Sequence, residues 1–189
     1  MSEDRRPGEA GLRLRALAHP LRWRLMEVVD SEGSATATRC AQLLGESVAS
    51  CGYHLGILGK YGYLEQIPDT PGRERPWRAT DRRQDLSPPG PGVDDQLASE
   101  AATEAFLEAE VDQIKARQRR KGTEPPEWAA ATALGGSTMW LTAEELREIK
   151  DELLAMLRRY QERSDDPRLR PDGARPSRLF FSTSVRPQP

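Results

Sequence analysis

The residues best suited to chemistry in this sequence fall into two short groups. Ser47, Ala49, Ser50, Tyr53 and His54 crowd one stretch, and Arg73, Arg75 and Arg78 follow around a Pro71–Gly72 turn signal. Hydroxyls, a phenol and an imidazole hydrogen-bond to oxyanions and to the edges of heterocycles, while guanidiniums fork onto phosphates. An alanine methyl packs against other methyls. This is the chemistry of recognition rather than bond breaking. No Ser/His/Asp, Cys/His or glycine-rich phosphate-loop arrangement stands out, so no catalytic residue is expected and the chain reads as a non-enzyme. Carboxylates such as Glu144 and Glu148 sit beside Arg147 and Lys150, the pattern of a solvated helix face. A soft-metal site needs several thiolate or imidazole ligands converging. Cys40, Cys51, His19 and His54 are the whole supply, and both cysteines fall on expected core faces. No metal and no cofactor is expected.

Short helices must position these groups. Leu12, Leu14, Leu17 and Ala18 form a first apolar stripe, with disorder expected before it at Met1–Gly11. His19–Pro20 breaks the stripe, and Pro20 suits the first turn of a helix carrying Leu21, Leu25, Val28 and Val29. After a turn at Ser31–Ser34, Thr36–Leu44 reads as a third helix with Ala37, Cys40, Leu43 and Leu44 inward, stopped by Gly45. Ser47 is an acceptable N-cap for a fourth. With Val48, Cys51, Leu55 and Leu58 inward, Ser47, Ala49, Ser50, Tyr53 and His54 face out, with no Arg or Lys among them. Gly62 ends this helix. Tyr63–Ile67 and Trp77–Thr80 then read as two strands of a hairpin around Pro68–Pro76.

Three short helices, a fourth after a glycine turn and a hairpin make a mainly α winged helix-turn-helix with a small β-hairpin wing. A helix fits the major groove, its predecessor braces it, and the wing brings cations to neighbouring phosphates. Leu14-Arg15-Ala16-Leu17-Ala18-His19-Pro20-Leu21-Arg22 resembles the signature of ArsR-type winged-helix transcription regulators. Tyr53-His54-Leu55, Leu58, Tyr61-Gly62 and Tyr63-Leu64 resemble that family's recognition helix and its exit into the wing. The resemblance covers about residues 12–81. It implies a transcription regulator that binds double-stranded DNA as a homodimer on a palindromic operator. Metal-sensing members carry paired cysteines on the helix before the recognition helix, where this chain has Cys40 alone. Others use His after the wing, and no His follows His54, which points to a non-metal-sensing relative. Gly52, Gly56 and Gly59 interrupt the recognition helix, each at up to about 1 kcal/mol relative to Ala. Either packing compensates or glycine lets the backbone approach DNA.

The chain divides on this reading into a DNA-binding domain at 12–83, a linker at 84–93, a helical dimerisation region at 94–163 and a Pro-rich tail at 164–189. Asp94–Lys121 carries Leu97, Ala101, Leu107, Val111 and Ile114, and Trp128–Leu134 is a possible short helix. Thr142–Arg163 begins with a Thr142/Glu145 capping box and carries a seam of Leu146, Ile149, Leu153, Met156 and Tyr160. Trp128 and Trp140 are expected in the core rather than lining an effector pocket, and the effector itself is unknown. Leu179–Val185 suggests a last strand. With 37% apolar and 31% charged residues, the chain buries a modest core and leaves long stretches outside it. Residues 1–83 hold 13 Lys/Arg against 11 Asp/Glu, and residues 84–189 hold 15 against 19, a split that neither demands nor excludes a nucleic acid. No apolar run approaches the roughly 20 residues of a membrane span, and no leader pattern opens the chain, so a cytoplasmic protein with no membrane partner is expected. The rival reading is a winged-helix protein–protein interaction module without specific DNA binding, because the outward face lacks basic residues.

Overall fold

The computed structural model describes residues 9–68, 74–80, 86–87 and 90–185. Among them the chain is mainly α. Its elements run α1 (Glu9–Arg15), α2 (Pro20–Glu32), α3 (Ala37–Leu44), α4 (Val48–Lys60), β1 (Leu64–Gln66), β2 (Trp77–Ala79), α5 (Val93–Arg120), α6 (Pro126–Ala131) and α7 (Ala143–Asp165). Glu9–Gly11 is helical, where disorder was expected; Arg73 and the Pro71–Gly72 turn lie outside the described residues.

Local chemistry explains the helix ends. His19 Nδ1 accepts from Leu21 N, with Pro20 in the first helical position. Thr36 Oγ1 accepts from Arg39 N, and Ser47 Oγ accepts from Ser50 N, each satisfying a donor the helix cannot. Gly45 joins α3 to α4 in the left-handed conformation (φ 70°), which a side chain would resist, and its N–H closes back on Ala41 O. Arg24 braces the same turn through Leu44 O at 3.0 Å and Glu46 Oε1 at 3.3 Å.

The two strands pair antiparallel, with Leu64 opposite Ala79, Glu65 opposite Arg78 and Gln66 opposite Trp77. Ala35 exchanges both backbone hydrogen bonds with Trp77, at 3.0 and 2.8 Å, so the hairpin is tied to the α2–α3 connection. Leu17, Leu25, Val29, Cys40, Cys51, Leu55, Leu58 and Leu64 form the core.

Two compact units emerge, Met1–Ala116 and Arg117–Pro189. The division falls inside α5 rather than at the Pro-rich segment before it, and the packing of α5 explains why. Ala98, Ala102, Ala105 and Ala109 are buried in the core of the first unit, and Phe106 packs on Trp23 with ring centroids 4.9 Å apart. Leu97, Leu107 and Val111, expected on one apolar stripe, stay 55%, 44% and 45% exposed. Small Cβ groups let the helix axis come close, so alanines and Phe106 face in while Leu97, Leu107 and Val111 face out.

In the second unit α7 opens with both halves of its capping box in place. None of its described side chains is fully buried. Trp140 is wholly exposed and Trp128 half-buried, covered by the Arg175 guanidinium 4.8 Å above its ring, so neither is a core residue as expected. Leu179–Val185 takes no regular structure, because strand propensity alone does not supply a partner edge. Among the described residues no helix is long and apolar enough to cross a membrane.

Candidate functional site

The outward face of α4 is a continuous stripe. Ala49, Tyr53, Gly56 and Lys60 are all exposed, spaced four, three and four residues apart on one side of the helix. Tyr53, 66% exposed, is its most prominent side chain. Ser47 is exposed at the N-cap and Ser50 half-buried beside it. Lys60 supplies the cation that the sequence reading placed nowhere on this face. Continuing the helical step two turns beyond Tyr53 finds it.

His54 does not belong to this stripe. It is buried, and so are Cys51, Leu55 and Leu58, whereas Val48, expected inward, is 45% exposed. The inward side of α4 is therefore centred between Leu55 and His54, and Val48 lies in a first turn that precedes the core. What draws the imidazole in is α2. Arg22 Nε donates to His54 Nδ1 at 3.2 Å, and the His19 ring lies 4.3 Å away. Burial lowers the His54 pKa, with the nearby His19 and Arg22 adding to the effect. Its role is to fasten α4 to the α1–α2 junction.

On the hairpin, Arg75 is exposed and carries no ion pair among the described residues. Arg78 is exposed too, but its Nε donates to Glu65 Oε1 across the strand pair at 2.8 Å. Arg75 is thus the freer cation. Glu74 next to it accepts from Thr38 Oγ1 at 2.6 Å, which anchors the turn to the start of α3. Arg73 lies outside the described residues, so Arg75 and Arg78 are the two arginines of the set whose surroundings are known.

The three glycines of α4 differ from one another. A Cβ on Gly59 would lie 2.9 Å from Trp77 Cη2 and closer still to Cζ3, so this glycine makes room for the indole. A Cβ on Gly52 would meet only Ala37 Cβ at 4.0 Å, and one on Gly56 would meet open space. Packing therefore accounts for Gly59 alone.

Cys40 and Cys51 are fully buried, and burial pushes the Cys40 thiol up to about 11, with the neighbouring Cys51 adding to the shift. Burial raises Cys51 as well. Such thiols are poor nucleophiles and poor ligands. Among the described residues no group of three or more His, Cys, Asp or Glu is arranged to hold a metal ion.

A second set of cations, which the sequence reading missed, lies beside Tyr53. A cleft of about 440 Å³ is lined by Leu12, Arg15, Ala16, Arg22, Tyr53, Ile57, Lys60 and Tyr61. No family model matches the chain, and neither does any curated protein.

Proposed function

We propose that this protein is a DNA-binding transcription regulator of the winged helix-turn-helix type, similar to ArsR-type regulators but not metal-sensing. In this reading α3 and α4 form the helix-turn-helix, α4 enters the major groove, and β1–β2 is the wing. The observation that carries it is the exposed stripe of Ala49, Tyr53, Gly56 and Lys60 on the helix that follows the Gly45 turn, with exposed Arg75 beside the adjoining hairpin. Ser47, Ser50 and Tyr53 offer hydroxyls to phosphates and base edges, Ala49 offers a methyl to thymine, and Lys60 and Arg75 neutralise phosphates. His54 acts indirectly, by holding α4. The exposed apolar side of α5 is the surface for a second copy, which would set two α4 helices on the half-sites of a palindromic operator. The protein has no catalytic task and works in the cytoplasm.

Titrating the full chain onto duplex DNA at several salt concentrations tests this. Counterion release makes the affinity fall steeply with salt. Arg75→Ala should lower that slope by about one unit and weaken all duplexes alike, whereas Tyr53→Ala should cost about 1–3 kcal/mol on a specific site and less on random sequence. Affinity independent of salt, or absent, would favour a protein-interaction module instead.

A further inference from the structure

We propose that the cleft between the end of α1, the start of α2 and the second half of α4 is a binding site for a small aromatic carboxylate. Two features of the lining set the ligand class. Arg15, Arg22 and Lys60 bring three positive charges to one concavity, while Leu12, Ala16, Ile57 and the rings of Tyr53 and Tyr61 supply carbon walls. Its volume of about 440 Å³ falls in the range typical of small-molecule sites.

Two of these charges, on Arg22 and Lys60, have no carboxylate partner among the described residues. Arg22 donates Nε to His54 and Nη1 to Ala16 O at 2.7 Å, both neutral acceptors, so its half-buried guanidinium keeps a net charge without a carboxylate among the described residues. Lys60 Nζ lies over the face of Tyr61, 5.5 Å from the ring centroid, with no carboxylate partner among the described residues. Arg15 has a loose, exposed contact with Asp94 at 3.6 Å. A guanidinium partly withdrawn from water and left without a counter-anion favours a carboxylate that can accept from it. A bare phosphate would leave the apolar walls unused, and a neutral aromatic would leave the cations uncompensated. An aromatic carboxylate satisfies both.

Tyr53 belongs to this cleft and to the outward stripe of α4. A ligand seated against it therefore competes with the duplex, and this coupling rests on the DNA-binding reading.

Salicylate is a suitable probe, titrated into the full chain by calorimetry at fixed ionic strength, with inorganic phosphate and salicylamide as controls. The expected result is saturable binding at one site per chain, with both controls at least about tenfold weaker, as loss of one charge-assisted contact implies. Arg22→Gln should abolish the binding. Lys60→Gln should weaken it by a similar factor to the controls, and because Lys60 is exposed it tests the site even if Arg22→Gln fails to fold. Equal affinity for phosphate, no binding at millimolar salicylate, or binding unchanged by Lys60→Gln would overturn the site. So would a finding that Lys60→Gln leaves salicylate unaffected and only lowers the salt slope on DNA, since the cleft would then hold a backbone phosphate. Saturation that leaves duplex affinity unchanged would overturn the coupling. A chain that binds salicylate but no DNA would sink the DNA-binding reading and leave the site standing.

Discussion

Replacing the three glycines of α4 one at a time with alanine separates helix propensity from packing. Every such change should gain about 1 kcal/mol from reduced backbone entropy in the unfolded chain and better helix propensity. At Gly56 nothing opposes the gain, because a Cβ there meets open space, and at Gly52 the nearest atom is an ordinary 4.0 Å contact with Ala37. At Gly59 the new methyl drives into the six-membered ring of Trp77, 2.9 Å from Cη2. The indole has little freedom to retreat, because the Trp77 backbone is paired with Gln66 on one side and Ala35 on the other. Overpacking of this kind costs about 1–3 kcal/mol. The helix contribution cancels between Gly59→Ala and Gly56→Ala, so the difference between these two variants reports the Trp77 displacement directly. Urea unfolding followed by far-UV circular dichroism should find Gly56→Ala more stable than the parent and Gly59→Ala less stable than Gly56→Ala by about 1–3 kcal/mol. In a Trp77→Ala background the Gly59 penalty should vanish. A Gly59→Ala protein as stable as Gly56→Ala would refute the claim that this glycine exists to seat the indole.

Three further outcomes are expected. Because burial depresses the His54 pKa, the folded chain binds fewer protons than the unfolded one. Stability should therefore be full above the ordinary histidine value of about 6.5 and fall as pH drops below it toward the folded pKa, and His54→Gln should flatten that slope in urea midpoints measured across the range. The Cys40 thiol, pushed up to about 11 and wholly buried, should resist iodoacetamide at pH 8 in the folded chain and react on unfolding; rapid labelling of the native protein would contradict this. Leu107→Glu with Val111→Glu should leave the fold intact, since both side chains are nearly half exposed, and, if the proposed α5 interface forms, turn a dimeric parent into a monomer in sedimentation; a parent that is already monomeric would remove that interface.

The elements of the first unit were largely legible because their punctuation is local. Thr36 and Ser47 cap where capping residues should, as Thr142 does in the second unit, and Pro20 and Gly45 occupy positions that each tolerates better than other residues do. Burial phase was less legible because hydrophobicity and burial are different quantities. In α5 Leu97, Leu107 and Val111 project outward while the alanines between them, with Phe106, face the core, a choice set by how close two axes can approach. A stripe drawn through Leu97, Leu107 and Val111 selects the wrong side of such a helix. The same confusion put Trp128 and Trp140 in a core, when an exposed face and a guanidinium are what they meet.

His54 shows why the candidate site was harder still. As a polar residue one step from an apolar stripe it belongs outside by pattern, and only a partner on another helix can bring it in. That partner is Arg22, in the stretch that carries the family resemblance. Pairing Arg22 with an imidazole and a carbonyl leaves its charge without a carboxylate among the described residues at the edge of the stripe, next to Tyr53 and Lys60. Burying His54 thus removes one polar side chain from the α4 surface and fixes a cation beside it. The surface that remains is more basic than the sequence of α4 alone indicates, and part of its charge comes from the helix behind it.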